Sequence, residues 1–155
     1  MPLLSRIEIV KKAKQPVISI KITTELEKLP KLIKETYQKI EKYLAEIGEY
    51  PEDIPFVRYF NMEMENLKVE IGFPVSKELS GKEDIKFSHI EEMIAVYALY
   101  QGPYQEMGET YDEIINWIEE NGMTTNGIFL ESYYNSPDDV PEDKLLTRIL
   151  MPLEQ

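Results

Sequence analysis

Glu131 is the residue whose type and place most invite chemistry. It stands mid-strand in Phe129-Leu130-Glu131-Ser132-Tyr133-Tyr134, where β-propensity disfavours a carboxylate. A lone carboxylate among aromatic rings can hold a desolvated organic cation: Glu131 supplies the charge, and the rings add cation–π and stacking contacts. A strand glutamate on a solvated face is the plainer reading of the same residue. Glu70 carries the cation reading with less force, because Lys68 offers it a surface partner. Two carboxylates facing one groove would also supply a pair for acid–base hydrolysis. The chain has 10 tyrosines and one tryptophan. Tyr59, Tyr97, Tyr100, Tyr104 and Tyr133 are candidates to line a stacking pocket, and Trp117 is either core or groove wall. Taken singly, each tyrosine reads first as a core or rim residue with a wet hydroxyl.

Several chemistries are excluded. The chain has no cysteine, so disulfides, thiolate catalysis and cysteine-ligated metal sites are out. His89 is the only histidine and has no serine or cysteine motif beside it. The glycines are scattered singly, which leaves no phosphate-cradling loop. Neither a cofactor nor a metal is expected. With 17 basic and 29 acidic residues the net charge is -12. Such a chain repels phosphate backbones, so no direct nucleic-acid partner is expected. The same field draws cations in, although solubility alone explains the acidity equally well. No stretch reaches the length of a membrane span. Met1-Pro2-Leu3-Leu4-Ser5-Arg6 lacks a signal-peptide core, which makes the default location cytoplasmic.

The elements that must position these residues are written twice. Glu35-Thr36-Tyr37-x-x-Ile40 with Gly48 returns as Glu109-Thr110-Tyr111-x-x-Ile114 with Gly122. At the same offset Tyr43 falls on Trp117, Leu44 on Ile118, Val57 on Glu131, Tyr59 on Tyr133 and Asn61 on Asn135. After a four-residue insertion, Leu67, Ile71, Phe73 and Pro74 fall on Leu145, Ile149, Met151 and Pro152. An ungapped match of this length is the mark of internal duplication.

Each copy reads strand–helix–strand–strand. Val17 to Thr23 alternates as a strand, and Pro30 opens a helix whose apolar face runs from Leu29 to Ile47 at three- and four-residue spacing. Gly48 and Pro51 stop it. Phe56 to Phe60 and Leu67 to Val75 form a hairpin. In the second copy His89 to Tyr100 is the first strand, and the helix turns Met107, Tyr111, Ile114, Ile115 and Ile118 inward. Gly127 to Tyr134 and Leu145 to Met151 close it. A leading strand over Arg6 to Val10 is expected to join the sheet. The polar stretch Ser76 to Lys86 reads as the least structured part of the chain. The expected class is α+β: a single domain over 1–155, with repeats over about 5–76 and 88–153 and a linker over about 77–87. Two such halves pack about a pseudo-twofold axis, as two antiparallel sheets or one curved sheet, with two long helices and a central groove. Alternation sends Leu67, Val69, Ile71 and Phe73 toward the helix and Lys68, Glu70 and Gly72 to the other face.

These residues, taken in order, resemble the GyrI-like small-molecule-binding domain, which is also the effector-binding domain of bacterial multidrug-sensing transcription activators. The resemblance is carried by Tyr100-Gln101-Gly102-Pro103-Tyr104, Tyr111-x-x-Ile114-x-x-Trp117-Ile118, Gly122, Gly127, Glu131-x-Tyr133 and Ile149-x-x-Pro152-Leu153. In the first copy it rests on Leu26-x-x-Leu29-Pro30 and Val69-x-Ile71-Gly72-Phe73-Pro74-Val75. It implies an aromatic groove in which an acidic residue, Glu131 here, meets cationic lipophilic drugs near Tyr133 and Trp117. The regulators carry a helix-turn-helix module before this domain. Here the domain begins almost at Met1, which implies a stand-alone form that would need a protein partner for any DNA contact. The resemblance thus implies a small-molecule-binding protein whose ligand is organic, cationic and aromatic. Its alternatives are a gyrase-inhibitor-like module that binds a protein, or a hydrolase opening cyclopropane rings of electrophilic natural products. In the hydrolase, Glu131 would be base or electrostatic stabiliser, with Glu70 helping. Haem binding, found in a related fold family, ranks third, since nothing around His89 looks like a proximal ligand.

Overall fold

The computed structural model describes residues 3–154; Met1, Pro2 and Gln155, which belong to the expected span 1–155, lie outside the described residues. The fold is α+β, with antiparallel strands and two long helices. Eight strands and two α-helices follow one another as β1 (Glu8–Lys12), β2 (Gln15–Thr24), α1 (Leu29–Glu46), β3 (Phe56–Tyr59), β4 (Leu67–Pro74), β5 (Lys86–Ile90), β6 (Met93–Gln101), α2 (Met107–Glu120), β7 (Phe129–Tyr133) and β8 (Leu146–Pro152). They form two compact units. One is Ala13–Glu92; the other takes the chain up to Lys12 together with the chain from Met93 onward.

In the first of these units β2 pairs with β4 and β5, and β4 pairs with β3. In the other, β6 pairs with β1 and β8, and β8 pairs with β7. Each copy therefore receives one added edge strand: β1 joins the second copy and β5 the first. The single strand expected over His89 to Tyr100 is two strands. Glu91 and Glu92 are exposed and break the alternation, and the segments on either side bond to different partners. The leading strand lies two residues later than expected and pairs with β6 rather than with its chain neighbour β2. The polar link is more than a connection, because Leu79 and Ile85 are buried with Ile18, Ile20, Ile40, Leu44 and Phe73 in the core of their unit.

The duplicated residues do duplicated work. Gly48 and Gly122 adopt φ of +72° and +70°. Behind them Glu49 N–H bonds the Leu44 carbonyl and Met123 N–H the Ile118 carbonyl, the same helix stop in both copies. Asn61 and Asn135 each clamp a hairpin: their side-chain oxygens accept from Lys68 N–H (3.2 Å) and Leu146 N–H (2.9 Å). Thr36, Ile40 and Leu44 are buried on α1, as Thr110, Ile114 and Ile118 are on α2. Ile115 departs from its expected inward place. It is 40% exposed, because it lies one step round the helix from the buried stripe.

Gly72 marks the closest backbone approach. A Cβ there would sit 2.6 Å from Ser19 Cβ and collide with the Ile18 carbonyl on β2. Gly72→Ala is expected to lower stability by about 2 kcal/mol or more through overpacking. Gly48→Ala meets no atom and bears only the left-handed backbone cost, about 1 kcal/mol. Urea unfolding of the two variants checks the order; equal losses would remove the close approach as a constraint.

Candidate functional site

Glu131 lies on the helix-facing side of its sheet. Side chains alternate along a strand and register partners project the same way. On that rule Glu131, opposite Ile149, and Tyr133, opposite Thr147, share a face with Ile149 and Thr147. The Tyr111 hydroxyl on α2 donates to Glu131 Oε2 at 2.7 Å, which identifies that face as the one toward the helix. Tyr133 donates to Oε1 at 2.6 Å. Both are short, charge-assisted bonds. Two further rings complete the surroundings: Phe129 stands edge-on to Tyr111 at 5.3 Å, and Tyr104 edge-on to Tyr133 at 5.8 Å. The result is a carboxylate only 8% exposed, set in a cage of four aromatic side chains.

The electrostatics of the cage register on Tyr104. Its phenol is pushed up to about 12, first by burial and second by the negative charge of Glu131. Phenol hydroxyls solvate a carboxylate without neutralising it. The stretch from Phe87 to Asp143 contains no lysine or arginine.

Glu70 sits in a different environment. It occupies the face of β4 away from α1, and it is fully buried. Ser19 donates to Oε2 at 2.6 Å, while Arg58 donates to Oε1 from Nε at 2.9 Å and from Nη2 at 2.6 Å. The Arg58 guanidinium also stacks 4.9 Å from the Phe60 ring centroid. The surface pairing with Lys68 is thus replaced by a buried bond network to Arg58. Both carboxylate oxygens serve structure, which leaves Glu70 poorly suited to acid–base work.

Of the remaining residues singled out by sequence, Tyr104 and Tyr133 gather at Glu131, whereas Tyr100 is buried and its hydroxyl donates to the Pro103 carbonyl at 2.6 Å. Tyr97, opposite Leu150, projects from the other face of its sheet. Trp117 lines an open cleft of about 410 Å³ with Leu3, Ser5, Arg6, Ile7 and Glu113. Tyr59 belongs to the first copy, where Val57 stands at the place of Glu131. Phe129 was legible as a strand neighbour of Glu131, whereas Tyr111 is the cage member the sequence reading left on the inward face of the helix. The signal for it was present: Val57 faces the helix in copy one, so its equivalent Glu131 must meet α2, where Tyr111 waits.

A family model for the GyrI-like small molecule binding domain matches residues 5–154. The chain belongs to this family. Among curated proteins none matches it in sequence. Several solved structures share the GyrI-like fold. The C-terminal domain of EcmrR superposes with a TM-score of 0.81 at 19% identity, covering 99% of each chain. EcmrR in its DNA complex gives 0.80 at 21%, and this chain spans 57% of that one. SAV2435 bound to tetraphenylphosphonium gives 0.69 at 15%, covering 97% of this chain and 94% of that one. A hydrolase from Listeria innocua gives 0.72 at 12%, covering 96% and 92%. At these identities the likeness is one of fold. This GyrI-like chain has no described helix long and apolar enough to cross a membrane.

Two measurements test the site. Arg58→Ala strands Glu70 in the core and is expected to lose about 3 kcal/mol or more in denaturant unfolding. A loss below about 1 kcal/mol would show that Glu70 does not depend on this network. The second measurement is an ultraviolet titration of the phenols. The folded Tyr104 value lies above the ordinary 10.0, so the folded chain holds that proton more tightly and its stability falls as pH rises from 10 toward 12. Glu131→Gln is expected to lower the Tyr104 value without returning it to 10.0, because burial is the larger cause. No change in Glu131→Gln would remove the carboxylate from its surroundings.

Proposed function

We propose that this GyrI-like domain binds lipophilic organic cations, with the Glu131 carboxylate as counter-charge and Tyr104, Tyr111, Phe129 and Tyr133 as walls. The supporting observation is the buried carboxylate whose oxygens are held by phenols rather than exposed to water. An ionised carboxylate in a low-dielectric cage attracts a cation more strongly than it would in water. The rings add negative faces that a diffuse cation prefers and a compact hydrated ion does not. The cation gives up little hydration on entry, because its charge is spread over hydrocarbon.

The acid-rich second copy acts at longer range. Its net negative field raises the local concentration of cations before contact and weakens as salt is added. The binding of tetraphenylphosphonium by SAV2435 supports this ligand class, since the two chains share a fold. A hydrolytic role is not favoured: Glu70, the second carboxylate it would use, is committed to Arg58 and Ser19.

The test is fluorescence titration with a cationic rhodamine ester, beside an uncharged xanthene dye of the same ring system. Glu131→Gln keeps the shape and removes the charge. It is expected to weaken the cation by at least about tenfold, the equivalent of ~1.5 kcal/mol for a buried charged contact, and to leave the neutral dye nearly unaffected. Equal loss for both dyes in a folded variant would sink charge pairing as the basis of recognition.

A further inference from the structure

Two hydroxyls in the second copy are fully buried and have no hydrogen-bond partner among the described residues: Thr110 Oγ1 on α2 and Thr147 Oγ1 on β8. Burying a hydroxyl without a partner is unfavourable, because its bonds to water are lost and not replaced. Thr110 has a threonine at the equivalent place in the first copy, Thr36, so it does not distinguish the copies. Thr147 does. Its equivalent in copy one is Val69, 1% exposed, as the equivalent of Glu131 is Val57, 0% exposed. Valine and threonine have nearly the same shape. Packing at this place therefore asks for nothing that threonine gives and valine lacks, and the hydroxyl is an added polar group in a core.

The position of Thr147 points the same way. Thr147 is the register partner of both Tyr133 and Tyr100. Glu131 sits opposite Ile149, which makes Thr147 and Glu131 diagonal neighbours on one face of the β7–β8 pair. Such neighbours are separated by about 7–8 Å, within the span of one drug-sized molecule. Copy one keeps two valines on that diagonal; copy two has a carboxylate and a hydroxyl.

We propose that Thr147 is the second polar anchor of the Glu131 site, its hydroxyl hydrogen-bonding a hydroxyl or carbonyl group carried by the bound cation. The inference rests on the cation-binding reading of Glu131 and narrows its ligand class to cations with a hydrogen-bonding group. Both anchors are buried, and Tyr104, at 39% exposure, is the outermost ring of the cage. On this reading the ligand enters past Tyr104 and takes over the bond that Tyr133 makes to Glu131.

A matched pair of ions reads this directly: tetraphenylphosphonium, which has no hydrogen-bonding group, and the same ion carrying one para-hydroxyl. By isothermal titration the wild-type chain is expected to bind the hydroxylated ion about fivefold more tightly, the effect of one added hydrogen bond. Thr147→Ser keeps that preference. Thr147→Val brings the ratio of affinities close to one, and its Tm equals or exceeds that of wild type because the buried hydroxyl is gone. A preference that survives in Thr147→Val overturns the proposal, as does its absence from a wild-type chain that binds both ions. A Thr147→Val chain less stable than wild type also overturns it, since the hydroxyl would then serve the fold. If neither ion binds wild type, the Glu131 reading fails first and carries this one with it.

Discussion

Strand register is the constraint on which the site depends. Side chains alternate with a period of two, so a shift of one residue in the β7–β8 pairing would carry Glu131 from the helix face to the other side. The pairing of Glu131 with Ile149 is what turns the carboxylate toward α2 and into reach of Tyr111. Asn135 helps to fix that register, since its side chain binds Leu146 N–H at the start of β8 and the Lys144 carbonyl before it. Glu131 itself cannot set the register by burial, because a carboxylate gains nothing from leaving water. Its apolar neighbours on both strands do so, and Glu131 is carried inside by their burial.

The duplication makes each copy a control for the other. Both use the same helix stop, the same hairpin clamp and the same buried helix stripe. They differ in where charge is buried. Copy one buries Glu70 on the face away from its helix and supplies Arg58 from the neighbouring strand as a partner, so the pair is internally satisfied. Copy two buries Glu131 on the helix face and surrounds it with phenols. A buried ion pair contributes little net stability, since desolvation offsets attraction, but it costs heavily when broken. A phenol-held carboxylate differs in kind: two neutral hydroxyls donate to its oxygens, and a phenol carries no charge of its own. The first arrangement suits a scaffold, and the second suits a binding site.

Much of this was legible in the sequence. The repeat in Glu-Thr-Tyr-x-x-Ile, the glycine stops and the alternating hairpins fix the element order and the class, because each rests on local spacing. Glu131 stood out because a carboxylate among aromatic strand residues breaks a local rule. What escaped was long-range. Nothing in Arg6 to Val10 reveals that this strand pairs with β6, and nothing local to Glu91-Glu92 reveals that the strands either side have different partners. The Arg58–Glu70 pair was hidden for the same reason, since Lys68 was nearer in sequence and Arg58 is nearer in space. Tyr97 was drawn toward the site by residue type, and Trp117 by residue type and the family resemblance. Helix phase and strand parity send them elsewhere, and parity could have been read by tying Glu131 to the helix-facing Val57.

The energetics of a closed cage bear on what it selects. With its phenols in place, the carboxylate already has two strong hydrogen bonds, which a ligand of the proposed kind would have to better. A cation does so by Coulomb attraction, which the phenols cannot offer. A neutral molecule without a hydrogen-bond donor would break those charge-assisted bonds and replace neither. On the proposed reading, the phenols that hold Glu131 would set a threshold against uncharged hydrophobes that the ring surfaces alone would welcome. On that reading, affinity would arise from the rings and the charge together, and selectivity from the bonds that must first be given up. A cage lined by phenylalanine in place of Tyr111 and Tyr133 would keep the stacking surface, lose that threshold and leave the carboxylate too costly to bury.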